Sequence, residues 1–358
     1  MRMFRRLGIL GWAGLACIAS PVYTVTDLGS LGGSTTTAFG LSSNGLAAGS
    51  AEDPQGNIEA LLFGGASVTS LWTAGEATGI NSSGLVTGTV SIGGTTHGVI
   101  WSAGGTVDLG SNTSAAAIND AGQVAGSGSR AFLYQSGART DIGTLSGGNW
   151  TLAEGISGNG AVAGYGDTRL GIAGFVWTTG NGLRQLGTLG GNNSYGMAVD
   201  DSGEVTGSAA ISSGYLHAAS WTNGAATDLG TLGGDNSYAY GINNAGAIVG
   251  YSWIAGSELT HAFIDLNGVM VDLNSLLPPS ESGWVITAAY GINDQNQIVG
   301  EAIYHGQSHA VLLNDPPSGS AGHEIPPESA APEPGTLILI SGGLILGGVL
   351  RSRFNQSH

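Results

Sequence analysis

The chain has 358 residues, of which 65 are glycine and only 9% are charged, and its formal net charge is −16. It has no lysine, and the only arginines outside the terminal segments are Arg130, Arg139, Arg169 and Arg184. Such an acidic body repels phosphate backbones and argues against nucleic-acid binding, while the apolar and glycine content favours short strands and tight turns over disorder or helices.

Residues 1–19 have the pattern of a secretory signal peptide. A basic region comes first, with Arg2, Arg5 and Arg6. The apolar stretch 7–18 and the small residues before Ser20 complete the pattern, which predicts export across the inner membrane. A lipoprotein signal at Cys17 is the alternative, although Gly14 stands where an aliphatic residue is needed. Cys17 is the only cysteine, so we expect the exported chain to contain no disulfide and no thiolate metal site.

A stray strand-like segment, 23–29, comes next and has the sequence YTVTDLG. It resembles the fourth strand of the repeating units that follow, which occurs at 107–110, 140–143, 184–187, 227–230 and 271–274, and more loosely at 70–72. The last unit has no such segment after residue 313. We therefore expect the stray copy to pair beside 310–313, complete the last unit and close the structure without exposed strand edges.

A block with the pattern Gly-Ile-Asn-x-x-Gly-x-Val-x-Gly occurs seven times. Its copies lie at 40–49, 79–88, 117–126, 155–164, 198–207, 241–250 and 291–300. The closing glycines are 38 to 50 residues apart, and a period of about 40–45 residues is typical of a four-stranded propeller blade. The repeat predicts an all-β, seven-bladed β-propeller of four-stranded blades over residues 20–315.

The unit 192–234 illustrates one predicted blade. Residues 195–199 and 204–208 alternate as two strands, and the acidic turn 200–203 joins them. Gly207 is predicted to leave room for another backbone segment. The paired acids of the turn resemble a calcium loop at first sight, but such loops need oxygen ligands throughout their length. Turn formation therefore accounts for these residues.

The third strand of each unit carries an aromatic residue at its end in five copies. These residues are Phe63, Trp101, Tyr134, Trp177 and Trp221. Large aromatic side chains at one place in each blade are predicted to pack between neighbouring blades. A platform on which a ligand stacks is the alternative interpretation.

The same strand begins with histidine in four units, at His97, His217, His261 and His309. The last three come from consecutive units, and their imidazoles would converge on a metal ion if this position faced the central channel. A half-exposed polar position at the start of a strand is the simpler alternative. His217, His261 and His309 are thus the candidate metal ligands, with no metal assigned.

These motifs support a family resemblance. The triplet His-Ala-Phe is intact at 261–263, and the surrounding signature is repeated at 187–191 and 228–234. Over residues 23–313 the chain resembles the extracellular HAF-repeat family. The resemblance implies secretion and a repeat architecture, and it implies no specific chemistry.

Blade-specific loops are where a propeller usually binds its ligand. The irregular segments 50–58 and 251–260 supply the candidate ligand contacts, which are Glu52, Asp53, Tyr251, Trp253 and Glu258. Residues 278–284 lengthen the interval between the last two closing glycines. No segment pairs a nucleophile with a base or carries a phosphate loop, and the glycine-rich run 187–191 is not followed by a helix. No catalytic or cofactor-binding residue is therefore assigned.

The C-terminal region changes composition. A Pro/Ser/Glu-rich linker, 316–331, leads to a segment, 332–358, that begins with Pro332, Glu333 and Pro334. The apolar stretch 335–350 is predicted to form a short hydrophobic helix of roughly 24 Å, less than the roughly 30 Å of a bilayer core. Positive charges follow at Arg351 and Arg353. This length suits a transient membrane anchor.

The order of these elements resembles the PEP-CTERM sorting signal of Gram-negative bacteria. The resemblance covers residues 332–358 and implies processing by an exosortase, with delivery to the cell surface or an exopolysaccharide matrix. A plain tail anchor is the alternative. Together these features predict a non-enzymatic binding or scaffolding protein that contacts polysaccharide or surface proteins. A propeller lectin or glycan-processing enzyme, and a matrix protein without a specific ligand, are the other two hypotheses.

Overall fold

The computed structural model describes residues 22–64 and 67–315. Within those residues the chain is all-β and forms seven four-stranded antiparallel sheets; six consist of four strands consecutive in the chain, and the seventh combines the last three strands with the first. The seven-bladed β-propeller predicted from the repeat is therefore confirmed. The predicted segments 1–19, 316–331 and 332–358, including the predicted C-terminal helix, lie outside the described residues.

The strands are numbered in chain order, beginning with β1 (Thr24–Asp27). Blade 1 contains β2 (Thr36–Leu41), β3 (Ala47–Glu52), β4 (Ile58–Gly64) and β5 (Ser67–Thr73). Blade 2 contains β6 (Gly75–Ile80), β7 (Val86–Ile92), β8 (Thr95–Ser102) and β9 (Gly105–Ser111). Blade 3 contains β10 (Ser114–Ile118), β11 (Val124–Ser127), β12 (Ala131–Gln135) and β13 (Ala138–Asp141).

The other four blades follow the same pattern. Blade 4 contains β14 (Thr151–Ile156), β15 (Val162–Thr168), β16 (Gly171–Thr178) and β17 (Gly182–Gln185). Blade 5 contains β18 (Gly190–Val199), β19 (Val205–Ile211), β20 (Leu216–Thr222) and β21 (Ala225–Gly230). Blade 6 contains β22 (Gly233–Ile242), β23 (Ile248–Ile254), β24 (Thr260–Asp265) and β25 (Met270–Asp272). Blade 7 contains β26 (Trp284–Ile292), β27 (Ile298–Tyr304) and β28 (Gln307–Asn314).

The fourth strand of blade 7 is β1, from the beginning of the described chain. It runs antiparallel to β28, with Thr24 opposite Asn314 and Asp27 opposite Val311. Just before it, Tyr23 is fully buried and donates its backbone N–H to the Leu276 carbonyl over 3.0 Å. Blade 7 also packs against blade 1, since Val299 and Ala310 share one apolar cluster with Ala38 and other residues of blade 1. The first and last blades are therefore neighbours.

The repeated block forms the turn between the first and second strands of each blade. In blade 2 the Asn81 side-chain oxygen accepts the backbone N–H groups of Ser83 and Leu85 over 3.1 and 3.0 Å. Gly84 takes a positive φ of 78° in the same turn. Asp200 accepts the N–H groups of Ser202 and Glu204 in the same way. The interpretation of the acidic pair as turn-forming residues is confirmed.

The asparagine of the block also joins one blade to the next. Asn81 Nδ2 donates to the Asn119 carbonyl over 3.1 Å, and Asn119 Nδ2 donates to the Ser157 carbonyl over 3.0 Å. Asn243 and Asn293 repeat the contact, and Asn293 reaches Ser42 of blade 1 over 3.1 Å. These amides satisfy buried carbonyls at the blade junctions.

The apolar core lies between the blades. Trp101 of blade 2 packs in one cluster with Ala48 and Ala60 of blade 1. Phe63, Trp177 and Trp221 are buried as well, and the Trp221 indole N–H donates to the Gly187 carbonyl over 3.0 Å. Packing between blades, predicted for the aromatic end of the third strand, is confirmed at these positions, and the alternative of a ligand platform there is wrong.

Blade 6 differs from the others after its short fourth strand. Two 3-10 helices, Leu273–Leu276 and Pro279–Glu281, occupy the long interval before blade 7. The first is capped by Asp272, whose carboxylate accepts the Asn274 N–H over 2.8 Å. Among the described residues no helix is long and apolar enough to cross a membrane.

Candidate functional site

The first strand of every blade contains a β-bulge at the residue before the repeated block. In blade 6, Ala239 pairs with Gly250 and Gly241 pairs with Val249, so Tyr240 has no partner across the ladder. The same irregularity occurs in each of the other six described blades. The seven bulged residues, which we name the bulge ring, are Phe39, Thr78, Ala116, Glu154, Met197, Tyr240 and Tyr290.

The closing glycine of the block makes this bulge possible. A Cβ atom on Gly250 would lie 1.9 Å from the carbonyl oxygen of Tyr238, two residues before the bulge. On Gly88 it would lie 2.0 Å from the Glu76 carbonyl oxygen. No side chain can occupy such a position, so glycine recurs there for steric reasons. The role predicted for Gly207 as a site of close backbone approach is confirmed, at 1.9 Å from the Tyr195 oxygen.

The bulge ring lies on the innermost strands. The first strand of each blade contacts the first strands of both neighbouring blades. Side chains of the ring meet across blade boundaries, with ring centroids 5.2 Å apart for Phe39 and Tyr290 and 5.3 Å apart for Tyr240 and Tyr290. Six of the seven side chains are half-buried, and only Ala116 is buried. The ring therefore lines the central channel and stays accessible to solvent.

A set of aromatic side chains, in two groups of contacting rings, lies in blades 4 to 7 and blade 1. We name it the aromatic belt, and it comprises Phe39, Trp150, Tyr165, Tyr195, Tyr238, Tyr240, Tyr251, Trp253 and Tyr290. Neighbouring rings lie 5.2 to 6.2 Å apart, within the range of favourable aromatic pairing. Ring contacts link Trp150, Tyr165 and Tyr195 in one group, and the other six rings in a second group. The belt extends through blades 4 to 7 and into blade 1.

The phenols of the belt are poor bases and acids. Burial, and then the neighbouring Tyr290 phenol, raise the pKa of Tyr240 above its usual value. Burial also raises the pKa of Tyr251 and of Tyr290, and the Glu301 carboxylate contributes to the shift at Tyr290. The phenols therefore stay neutral at physiological pH and act through their ring faces and hydroxyl groups.

Two of the predicted loop contacts belong to the belt but not to a loop. Tyr251 and Trp253 lie within β23, because the strand continues as regular extended sheet through Ile254. Tyr251 is only 5% exposed and its ring stacks on Tyr240. The prediction that these residues stand in an irregular loop is therefore wrong, whereas Glu258 is exposed in the turn that follows β23.

The other two predicted contacts lie in blade 1 and have local partners. Glu52 ends β3 and accepts the backbone N–H of Ser34 over 3.2 Å. Asp53 accepts the N–H groups of Gln55 and Asn57, each over 2.8 Å. Its hydrogen bonds with Asn57 hold the pKa of Asp53 below its usual value. Asp53 thus forms the turn between β3 and β4, whereas Glu52 joins the end of β3 to the segment before β2.

The candidate metal ligands are each paired within their own blade. His217 Nδ1 contacts Asp228 over 3.0 Å, His261 Nδ1 contacts Asp272 over 2.7 Å, and His309 Nδ1 contacts Asp27 over 2.9 Å. His97 and Asp108 form the same contact in blade 2. In residues 22–64 and 67–315 no three His, Cys, Asp or Glu side chains are grouped to hold a metal ion. The imidazoles join the third strand to the fourth.

One of these pairs leads to a pH-dependent prediction. Burial raises the pKa of Asp272, but the hydrogen bond and charge of His261, with the Asn274 N–H, outweigh it and hold the pKa below its usual value. Such a carboxylate stabilises the fold above its unfolded pKa, near 3.9, and loses this effect as pH falls through its folded pKa. Asp272→Asn should therefore cost about 1 kcal/mol at pH 7 and progressively less below about pH 4.

Urea denaturation between pH 3 and pH 7 measures this difference. Asp141→Asn is the matched control, because the Arg130–Asp141 pair occupies the same place in blade 3 but both side chains are more than half exposed. We expect that control to change stability by less than about 0.5 kcal/mol. If the loss of stability in Asp272→Asn were the same at pH 3 as at pH 7, the ionised Asp272 carboxylate would not be its cause.

The sequence could have indicated part of this site. An aromatic residue directly precedes the block in the first unit and in the last two units, at Phe39, Tyr240 and Tyr290. An aromatic residue next to a repeated glycine gave the only signal. Without the strand register, the sequence does not show whether the side chain at that position points toward the channel or toward a neighbouring blade.

Comparisons with known proteins support the propeller fold. No protein-family model and no curated protein matches the chain. It is similar to the β-propeller domain of the Trilobed protease from Pyrococcus furiosus, with 8% identity and a TM-score of 0.51, over 82% of this chain and 96% of that one. That domain is described as having an open velcro topology. At this identity the likeness shows the propeller fold alone.

Two further structures are more distant. TolB from Acinetobacter baumannii has 11% identity and a TM-score of 0.39 over 76% of this chain, and the match spans 64% of its own length. A putative gluconolactonase has 12% identity and a TM-score of 0.38, over 82% of this chain and 92% of that one.

Proposed function

We propose that this protein is an exported, non-enzymatic binding module that holds a saccharide ligand against the aromatic belt. The observation that carries the proposal is the group of contacting aromatic rings in blades 6, 7 and 1, of which Phe39, Tyr240 and Tyr290 are half-buried on the innermost strands. Pyranose rings pack their C–H faces on aromatic rings, and phenol hydroxyls exchange hydrogen bonds with sugar hydroxyls.

The composition of the bulge ring supports binding over catalysis. The ring contains one carboxylate, Glu154, whereas glycoside hydrolysis generally uses two carboxylates on either side of the bond. The neutral phenols of the belt provide contact surface and hydrogen bonds, and they are weak nucleophiles at neutral pH. These features favour the binding module over the glycan-processing enzyme.

Export and sorting belong to the same proposal. We infer that residues 1–19 direct the chain across the inner membrane, and that an exosortase acts on residues 332–358 to place the propeller at the surface or in the exopolysaccharide matrix of a Gram-negative bacterium. We also propose that β1 closes the ring. The pairing of β1 with β28 and the buried Tyr23 support this role.

Titration of the full chain with oligosaccharides selected on a glycan array tests the binding proposal. Tyr240→Leu should weaken binding about fivefold or more, because stacking with an aromatic face is worth on the order of 1 kcal/mol or more. Tyr215→Leu is the control, since Tyr215 is 46% exposed between β19 and β20 and lies outside the belt. Equal affinities of the two variants, or release of reducing sugar by the purified protein, would contradict the proposal.

A further inference from the structure

A pocket of about 220 Å³ lies at the third and fourth strands of blade 3. The hairpin of β11 and β12 ends early there, since its last pair is Ser127 with Ala131, one residue after the closing glycine of the block. In blade 4 the corresponding hairpin continues to the pair of Thr168 with Gly171, four residues after its own closing glycine. Three residues of extended strand span about 10 Å. The short hairpin therefore ends where its neighbour still continues, and its connection, 128–130, contributes to the pocket wall.

The pocket collects much of the positive charge of an acidic protein. Arg130 and Arg139 both line it, whereas Arg169 and Arg184, the other two arginines of the described chain, do not. The whole chain has no lysine and a formal net charge of −16. Asp141 is the one acidic residue of the lining, so two positive charges and one negative charge leave the pocket at +1. We name this recess the arginine pocket.

Arg139 is held in a defined orientation. Its guanidinium carbon lies 3.7 Å from the centroid of the Phe132 ring, and Nη1 donates to the Leu109 carbonyl of blade 2 over 3.2 Å. Stacking on the ring restricts the plane of the guanidinium, and the bond to Leu109 uses one of its five N–H groups. Four N–H groups therefore remain on a cation that lines the pocket and loses little freedom when a ligand binds.

Arg130 and Asp141 form the variable side of the pocket. Arg130 Nη1 contacts the Asp141 carboxylate over 3.2 Å, and both side chains are more than half exposed. An exposed pair of this kind contributes little to stability, so a ligand carboxylate can share or replace it at small cost. Asp141 then remains as an acceptor for ligand hydroxyl groups, and Ser129 adds an exposed hydroxyl to the lining.

This combination of groups favours one class of anion. A charge of +1 matches a monoanion, whereas the second charge of a sulfate or phosphate dianion would face Asp141 without compensation. A planar carboxylate also fits the two parallel N–H donors of a guanidinium. The acceptor and the hydroxyl in the same wall suit a ligand with hydroxyl groups beside its carboxylate. The volume is below the roughly 300 Å³ at which pockets for drug-sized ligands begin, which limits the occupant to about one sugar ring.

We propose that the arginine pocket binds the carboxylate of an acidic sugar residue, a uronate, through Arg130 and Arg139. The carboxylate part of this assignment stands on the pocket alone, and the sugar part rests on the proposed function. Blade 3 contributes no ring to the aromatic belt, so the arginine pocket is a separate site. The protein then recognises a charged sugar at one place and stacks sugar rings at another.

Isothermal titration of the full chain with D-glucuronate and D-glucose tests this assignment, at low ionic strength because exposed charges are screened by salt. We expect glucuronate to bind with a Kd below about 5 mM and about tenfold more tightly than glucose, which keeps the ring and lacks the carboxylate. Equal binding of the two sugars, or no binding of glucuronate in this range, would overturn the inference. The oligosaccharide titration with Tyr240→Leu judges the proposed function separately.

Acetate and sulfate identify the part of the ligand that is recognised. Both should bind more weakly than glucuronate, acetate because it has no hydroxyl groups and sulfate because it carries a second negative charge. Acetate binding as tightly as glucuronate would support the two arginine donors and overturn the sugar, as expected for a site that takes acidic peptides. Sulfate binding more tightly than glucuronate would overturn the assignment to a carboxylate.

Charge variants locate the binding site. Arg130→Gln should weaken glucuronate binding about fivefold, and Asp141→Asn should strengthen it about threefold, because it removes the competing carboxylate. Loss of folding cannot produce effects of opposite sign. Arg184→Gln removes the same charge as Arg130→Gln from an exposed position in β17, outside the pocket, and should leave the affinity unchanged. An equal loss with Arg184→Gln, or weaker binding with Asp141→Asn, would overturn the inference.

Tyr240→Leu separates the two sites in the same titration. It should leave the affinity for glucuronate unchanged, since Tyr240 lies in blade 6 and the pocket in blade 3. A loss of glucuronate binding in Tyr240→Leu, with none in Arg130→Gln, would place the acidic sugar at the aromatic belt. That result would overturn the arginine pocket and leave the saccharide-binding function standing.

Discussion

Gly250→Ala should destabilise the propeller by about 3 kcal/mol or more, although it adds a single methyl group. The new Cβ would lie 1.9 Å from the Tyr238 carbonyl oxygen, 2.8 Å from the Ala239 Cα and 2.9 Å from the ring of Phe263. Two of these three atoms belong to the backbone, so relief requires the first strand of blade 6 to move. That movement would disturb the bulge at Tyr240 and the junction with blade 7.

Gly180→Ala is the matched control for this prediction. A Cβ on Gly180 meets no atom within 4 Å, and its backbone does not have a positive φ. We expect a change in stability within about 0.5 kcal/mol, since the substitution mainly restricts the unfolded chain. Urea denaturation of the two variants gives the comparison. Equal stabilities would mean that the closing glycine is not the steric requirement described above.

Removal of residues 22–29 from the full chain should lower the melting temperature by about 10 °C or more. The deletion removes the fully buried Tyr23 and the nearly buried Leu28, and the loss of one large buried side chain alone costs about 3–5 kcal/mol. It also removes the ladder with β28 and the Asp27–His309 contact of 2.9 Å. An exposed β28 edge should in addition promote association between chains.

Differential scanning calorimetry and sedimentation velocity measure both consequences. Tyr23→Phe is the control, because the Tyr23 hydroxyl is buried without a hydrogen-bond partner among the described residues. Loss of that hydroxyl should be neutral or slightly stabilising. A deletion variant that melts at the unaltered temperature would show that β1 does not close the ring.

Much of the fold was predictable because the repeat is local. The block combines a turn sequence with two short strands, and its seven copies predict the number of blades directly. The displaced segment at 23–29 indicated the pairing that the structure has between β1 and β28, whereas closure of the ring through this strand stays a prediction that the deletion tests. The predicted loop contacts were less accurate. Tyr251 and Trp253 continue an extended strand because pairing with β24 overrides an irregular local sequence.

The bulge ring could not be derived from the sequence alone. A bulge is a property of two paired strands, and a shift of one residue decides whether a side chain points into the channel or between blades. The sequence shows the closing glycine in all seven blocks. It does not show that a side chain there would collide with a carbonyl oxygen of the first strand of the same blade. Likewise, the amide of Asn81 contacts a carbonyl 38 residues away in sequence. Such contacts require the arrangement of complete blades.

At the seven bulges the backbone is the same in every blade, whereas the residue type differs. Because each bulged residue has no partner across the ladder, its identity is free of the constraints that strand pairing places on its neighbours. The seven positions already hold phenylalanine, threonine, alanine, glutamate, methionine and two tyrosines on equivalent backbones. A lineage could therefore alter its ligand by single substitutions in the channel while the blades remain unchanged. The same seven positions are the natural starting set for a designed library of binding proteins.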